Sequence, residues 1–342
     1  MAIVGAIDVH RGQLTYDYVE TETGEVWRGK IRPADRDHLR AWLTRFAEVE
    51  AVAFAVEACT GWRYVVEELQ RVGCEVHLAE PAEASGRGPK QRPKTDAADA
   101  RHLRQLLLEK RVPESWIPPP EVLEGRALIR LYMDLAEERT GWLERIRATL
   151  FHQGVPDPEK VVDASGRALL PEVDLSAAGR HAVETALSQV QRLSAGLKEL
   201  GSEIRAKAQA QPACRVLAKT QYGVGLLLAF AIWVEMGNPR RFTSSSDVVR
   251  YAGLDVTVYS SDIKRAKGHL SRQGPPLLRW ALYEAAVHAS RPSSPDYAYY
   301  RSVKARHQGD GQIAALAVSR KLARRCYHTL RELGPEAWSV AA

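Results

Sequence analysis

Residues 3–9, IVGAIDV, are a short apolar run rich in β-branched side chains, which predicts a buried strand. QLTYDYVE then alternates apolar and polar positions, TETGE turns and VWRGKI returns, so a meander of three strands is predicted. PADRDHLRAWLTRFAE opens with proline and acids and carries Leu39, Leu43 and Phe46 on one face, the pattern of an amphipathic helix. AVAFAV is a further buried strand that ends at Glu57. TGWRYVVEELQRVG is a helix stopped by Gly73, and CEVHLAE is another strand. A basic loop leads from there into a helix from about Asp96 to Lys110.

From about residue 120 the period becomes helical. Leu128, Leu131, Leu135, Trp142, Ile146 and Leu150 form a stripe that runs to residue 152, where GVPDPEKVVDASG breaks it. A second long helix is predicted from about 176 to 210. Its Ala186, Val190, Leu193, Leu197, Leu200 and Ile204 step alternately by four and three, the spacing of a coiled-coil seam. Such a seam fits either an antiparallel hairpin within the chain or a dimer. Beyond Pro212 a helix, a glycine hairpin at 223–225 and an apolar helix follow, then a polar, basic stretch, and 275–335 is again helical. The glycine hairpin suits plain helix packing, or backbone N–H groups offered to a phosphate.

The order β-β-β-α-β-α-β-α is that of a ribonuclease H-like fold. The expected architecture is an α/β N-terminal RuvC-like domain at 1–118, a helical coiled-coil linker at 119–211, and a mostly α-helical C-terminal domain at 212–342.

Composition narrows the class. Of 342 residues 45% are hydrophobic and 26% charged, ordinary values for a globular protein. The net charge of +6 matters mainly through its clustering near 87–94, 264–272 and 301–325, which points to polyanionic partners. Cys59, Cys74, Cys214 and Cys326 share no metal-binding spacing, which argues for a reducing compartment and against zinc. MAIVGAIDVHRG lacks the basic lead of a signal peptide, and GVGLLLAFAIWVEMG is too short to span a bilayer, so a bacterial cytoplasmic protein is expected.

Two carboxylates, Asp8 and Glu57, stand at the ends of apolar strands. Strand carboxyl ends in α/β sheets open onto one crevice, where such folds place their sites. Asp96 and Asp99 lie three apart at the start of the next helix but one; as N-cap and N3 residues they would serve only to cap it. Together, four acids converging on one crevice repel one another unless cations neutralise them, and their hard oxygens suit Mg2+ or Mn2+. Two such ions would stabilise the attacking and leaving oxygens of a phosphoryl transfer. The loop bearing Arg87, Lys90, Arg92 and Lys94 would then lie beside the site and hold a nucleic-acid backbone.

AIDVH, VEACTG and KTDAADA resemble the DEDD motif of the insertion-sequence "one-ten" family, the bridge-RNA-guided DNA recombinases related to Piv-type DNA invertases. GVG…GNPRRFTSSSDVVRYAGL, YSSDIKRAKGHLSRQGPPLLRWAL and RKLARRCYHTLREL resemble that family's C-terminal transposase domain, with a helix-hairpin-helix-like segment. The resemblance implies that Asp8, Glu57, Asp96 and Asp99 bind the metal ions. It also implies a serine nucleophile, matched by Ser261, which lies 13 residues before Gly274 with Gly268 between. Asp262 stands where the family has glycine, and Ser260 adjoins the match, so either serine remains eligible. No histidine has general-base spacing to Ser261, which leaves metal activation as the economical route.

The family likeness further implies a composite site, the acids of one subunit facing the serine of another. The serine attacks a DNA phosphate to give a phosphoserine linkage and a free 3′-OH. The implied partners are donor and target DNA, a structured non-coding guide (bridge) RNA that reads sequence by base pairing, and further copies of the chain as a dimer or tetramer on DNA. Lys264, Arg265, Lys267 and Arg272 join the basic loop as expected nucleic-acid contacts, and nucleoid association in the bacterial cytoplasm without a membrane follows. Two rivals stay open: a metal-dependent, structure-selective nuclease that uses water, and an inactive nucleic-acid-binding protein.

Overall fold

The computed structural model describes residues 2–86, 95–156, 173–256, 260–261, 264–265 and 268–334, with 260–261 and 264–265 described by backbone alone. By internal contacts the chain divides into two compact units, Met1–Ile117 and Pro118–Ala342.

In the first unit five strands form one mixed sheet: β1 (Ala2–Val9), β2 (Leu14–Glu20), β3 (Val26–Ile31), β4 (Ala51–Glu57) and β5 (Glu75–Ala79). The spatial order is β3-β2-β1-β4-β5, antiparallel across β3-β2-β1 and parallel across β1-β4-β5. The predicted meander and the two later strands are therefore all present. Strand alternation sends Ile3, Ile7 and Val9 to one face, where they bury Leu39 and Leu43 of α1 (Arg36–Leu43), Phe46, and Val65, Val66 and Leu69 of α2 (Trp62–Arg71). The other face is built from small residues. Ala6, Ala55 and Ala79 meet Leu103, Leu106 and Leu107 of α4 (Asp96–Leu108), and Ala84 of the short α3 (Pro81–Gly86) completes this layer. Alanines let α4 lie close to the sheet, which is what carries its N-terminus to the carboxyl ends of β1 and β4.

Among the described residues the second unit is helical apart from a two-residue ladder and an isolated bridge between Val256 and Leu270. α5 (Pro120–His152) and α6 (Ala177–Ala210) pack antiparallel: Ile146 and Leu150 meet Val183, Ala186 and Leu187, while Gly201 near the far end of α6 lies against Tyr132. Of the heptad stripe, Ala186, Leu197, Leu200 and Ile204 are buried within the chain, while Val190 and Leu193 are only half-buried. The stripe expected on α5 is buried at Ile146 and Leu150 and half-buried at Leu128, Leu135 and Trp142, and it departs at Leu131. Leu131 is 49% exposed, and the buried face of the first half is Val122, Gly125 and Ile129. The reason is Gly125, where a β-carbon would lie 2.5 Å from Val234 Cγ1; the missing side chain admits α8 (Leu226–Met236). α8 is buried from Ala229 to Met236, a core helix apolar except for Glu235, whose Oε1 lies 3.6 Å from Arg130 Nη2. No helix among the described residues is long and apolar enough to cross a membrane.

α7 (Pro212–Thr220) precedes the glycine hairpin, and α9 (Ser245–Tyr251), α10 (Pro276–Val287), α11 (Tyr297–Arg306) and α12 (Gly311–Leu333) follow α8. The helical stretch expected over 275–335 is thus three helices. Gly223 adopts φ +83° and would place a β-carbon 2.4 Å from the Ala285 carbonyl oxygen, so it is a close-packing glycine. Gly274 is more constrained: φ is +81°, and a β-carbon would lie 1.9 Å from the Tyr251 carbonyl oxygen. Gly274→Ala is expected to cost about 1–3 kcal/mol through backbone strain, measured as a lowered urea midpoint.

Candidate metal centre

β1 delivers Asp8 on the alanine-lined face of the sheet, in register with Ala6 of that face. Glu57 follows Val56, the parallel partner of Ile7, so it stands beside Asp8 at the end of β4. α4 begins at Thr95, whose side chain caps it by accepting from the Ala98 N–H at 3.2 Å. The capping role considered for Asp96 and Asp99 is therefore filled by Thr95. Asp96 and Asp99 lie inside the first turns, three residues apart and hence on neighbouring positions of one helix face.

The chain gives Asp96 a specific setting. Gln13 Nε2 donates to Asp96 Oδ2 at 2.7 Å, and Arg32 Nε in turn donates to Gln13 Oε1 at 2.9 Å. His10 Nε2 lies 3.2 Å from Asp96 Oδ1 and 3.0 Å from Asp8 Oδ2. His10 and Gln13 were not among the residues singled out by sequence. The signal available in the sequence was the i,i+2 spacing of Asp8 and His10; the backbone bond from His10 N–H to the Gln13 carbonyl, which closes the β1–β2 turn, belongs to the fold.

Asp8 is 4% exposed, and its Oδ2 accepts no aligned hydrogen bond among the described residues even though His10 is at ion-pair distance. Burial pushes its carboxyl up to about 6; the charge of His10 opposes this, and those of Asp96, Asp99 and Glu57 add to it. An unsatisfied buried oxygen amid other carboxylates is costly, and a divalent cation is what such a set of hard oxygens accommodates. The donor atoms of Asp8, His10 and Asp96 all lie within 4.8 Å of one another, close enough to hold one ion. Burial, then the charges of Glu57 and Asp8, raises the pKa of the nearby Cys59 thiol, which disfavours the thiolate there.

The remaining expected residues belong to the second unit or lie outside the described residues. Ser260 and Ser261 form β6, paired antiparallel with Lys264 and Arg265 of β7. Arg272 is exposed with φ +52°, and its N–H donates to the Gly253 carbonyl at 3.2 Å. Arg87, Lys90, Arg92, Lys94, Asp262 and Lys267 lie outside the described residues.

Two family models match the chain. One for DEDD-type transposases covers residues 5–152, and one described as "Transposase IS116/IS110/IS902 family" covers 215–301. The chain belongs to the IS110 family of DEDD transposases. A Sinorhizobium fredii (strain NBRC 101917 / NGR234) protein named "Putative transposase y4rJ" is 28% identical over 286 residues, which cover 73% of this chain and 71% of that protein. The first match in this IS110-family transposase holds Asp8, His10, Gln13, Glu57, Asp96 and Asp99; the second holds Ser260, Ser261 and Arg272. Membership implies DNA substrates and dependence on divalent metal, and the acidic cluster is a place where such an ion fits.

Proposed function

We propose that the protein is a guide-RNA-directed DNA recombinase of a bacterial insertion sequence, in which Asp8, Glu57, Asp96 and Asp99 hold Mg2+ or Mn2+ and Ser261 is the nucleophile. The observation that carries the reading is the buried Asp8 Oδ2, with no aligned hydrogen bond, at the point where β1, β4 and the start of α4 converge. The strand order β3-β2-β1-β4-β5 supports a RuvC-like, ribonuclease H-type domain as the scaffold. The bound cations supply charge stabilisation to the oxygens around the reacting phosphorus.

The chain's own residues do the rest. Asp8 and Glu57 are rigidly placed by the sheet, while α4 adds two carboxylates on one face. Ser261 attacks the phosphate, its O–P bond forming as the bond to the 3′ oxygen breaks. The proton lost by serine and the one gained by the departing 3′-OH balance through solvent. The acids belong to one end of the chain and the serine to the other, which suits a composite site between subunits of a homo-oligomer. The basic residues Lys264, Arg265, Lys267 and Arg272 flank the serine in sequence, and Arg87, Lys90, Arg92 and Lys94 precede the acids of α4. Both groups suit backbone contacts to DNA and guide RNA. The α5–α6 hairpin is the linker of this reading, between a catalytic domain at 1–118 and a serine-bearing domain at 212–342.

The test is to incubate the full-length protein, its flanking non-coding RNA and matching DNAs with Mg2+, and to look for a protein–DNA adduct. An adduct is expected that is lost in Ser261→Ala and in Asp96→Ala. An adduct that survives Ser261→Ala moves the nucleophile, with Ser260 the first alternative. Cleavage without an adduct indicates a nuclease that uses water, and binding without chemistry indicates an inactive nucleic-acid binder.

A further inference from the structure

The turn that follows β1 places an imidazole where two of the carboxylates meet. His10 comes two residues after Asp8, so it continues the alternation of the strand onto the face that α4 covers. One atom, His10 Nε2, lies 3.0 Å from Asp8 Oδ2 and 3.2 Å from Asp96 Oδ1. Donors on adjacent corners of an octahedron with bonds of about 2.1 Å stand about 3.0 Å apart. Both nitrogen–oxygen spacings thus already have the edge length of a coordination polyhedron.

Two further observations point the same way. Asp8 Oδ2, on a carboxylate 4% exposed, accepts no aligned hydrogen bond among the described residues, so its lone pairs are available to an ion. Asp96 is held from the other side: Gln13 Nε2 occupies its Oδ2, and Arg32 fixes Gln13. Its Oδ1 is left toward His10, the kind of outer-shell support that orients metal ligands. The His10 side chain itself is half exposed, so no packing requirement accounts for its position.

We propose that His10 is a nitrogen ligand of the metal centre, forming with Asp8 and Asp96 one face of its coordination sphere and biasing the site towards Mn2+ over Mg2+. This rests on Asp8 and Asp96 being metal ligands. Mg2+ is a hard ion that favours oxygen donors and retained water, so an imidazole adds little to its binding. A first-row transition ion gains from the same donor.

The experiment uses the full-length protein without nucleic acid and Mn2+ as the probe. Electron spin-echo envelope modulation reports directly bound nitrogen, and equilibrium titration gives affinity, in the wild type and in His10→Ala and His10→Gln. The wild type is expected to bind Mn2+ with 14N coupling of an imidazole. Both variants should lose that coupling and about tenfold in Mn2+ affinity, with Mg2+ affinity, measured by competition, changed by less than about twofold. Mn2+ bound without 14N coupling, or coupling that persists in His10→Ala, overturns the proposal and leaves the carboxylate site standing. Absence of Mn2+ binding in the wild type overturns the carboxylate site and this proposal together. His10 is half exposed and lies beyond the end of β1, so both variants should retain the wild-type circular dichroism spectrum, which checks the fold.

Discussion

Asp8→Asn is expected to cut strand exchange by about a thousandfold while making the protein more stable at neutral pH. The two effects share one cause. Asp8 is buried beside three other carboxylates, and its pKa is raised from 3.8 to about 6, with burial the largest contribution. Because the folded value lies above the unfolded one, the folded protein binds more protons between about pH 4 and pH 6. Stability from this group therefore falls as pH rises through that window, and above about pH 6 its full cost is present. The shift corresponds to a cost on the order of 2–3 kcal/mol. Asparagine keeps the shape and carries no charge, but its amide still needs partners, so a net gain of about 1–2 kcal/mol is expected at pH 7.5. The gain should shrink towards zero near pH 4, where wild-type Asp8 is itself neutral. Urea unfolding of both proteins with a chelator present, at pH 7.5 and near pH 4, measures the difference. A gain equal at the two pH values would show that the Asp8 charge is not what the fold is working against. Added Mn2+ should stabilise the wild type alone, since a ligand that binds only the folded state raises its stability by mass action.

The sheet was legible because β-branched and aromatic residues alternate with polar ones over the right lengths, and its register puts Asp8 and Glu57 at adjacent strand ends as their positions implied. The acids of α4 were legible as a pair, but their cap was not: Thr95, one residue earlier, satisfies the helix terminus and frees Asp96 for another use. Errors arose where a small residue marks a core face. Leu131 was expected on the buried side of α5 and is exposed, whereas Gly125, which a stripe of large apolar residues does not include, is buried against Val234 and Phe230, because absent side chains let helices approach. A hydrophobicity pattern cannot register contact made by the absence of atoms. His10 and Gln13 escaped notice for a different reason. Their roles come from a turn that folds them over a helix more than eighty residues later, and only tertiary structure sets that proximity. The sequence left two partners open for the stripe of α6, a hairpin within the chain or a dimer; Ala186 packs on Ile146 and Leu150 of α5, a choice that chain topology makes.

Asp17→Ala is expected to destabilise the N-terminal unit by about 3–5 kcal/mol. Asp17 lies on β2, 1% exposed, on the face that α4 covers. Its Oδ1 accepts from Arg104 Nε at 2.6 Å and its Oδ2 from Arg28 Nε at 2.9 Å, with Arg101 Nε at 3.8 Å. Arg28 and Arg101 are about half exposed and can return to water, but the Arg104 side chain is only 10% exposed and would be left charged and unpaired. That asymmetry predicts the outcome of a double-mutant cycle. Asp17→Leu combined with Arg104→Met removes both charges and should recover most of the loss, since a buried pair replaced by apolar groups of similar size is often nearly neutral. The same bond clamps α4 against the sheet, and the N-terminus of that helix carries Asp96 and Asp99. Loss of the clamp should therefore also weaken Mn2+ binding, although no proposed ligand is altered, and the Leu/Met pair should restore stability more fully than metal affinity, because apolar packing seats a helix without fixing its register as a directed hydrogen bond does. Thermal unfolding and Mn2+ titration of the single and double variants measure both effects. A melting temperature for Asp17→Ala within about 2 °C of wild type would correspond to well under 1 kcal/mol for a unit of this size and would show that water, rather than Asp17, neutralises Arg104.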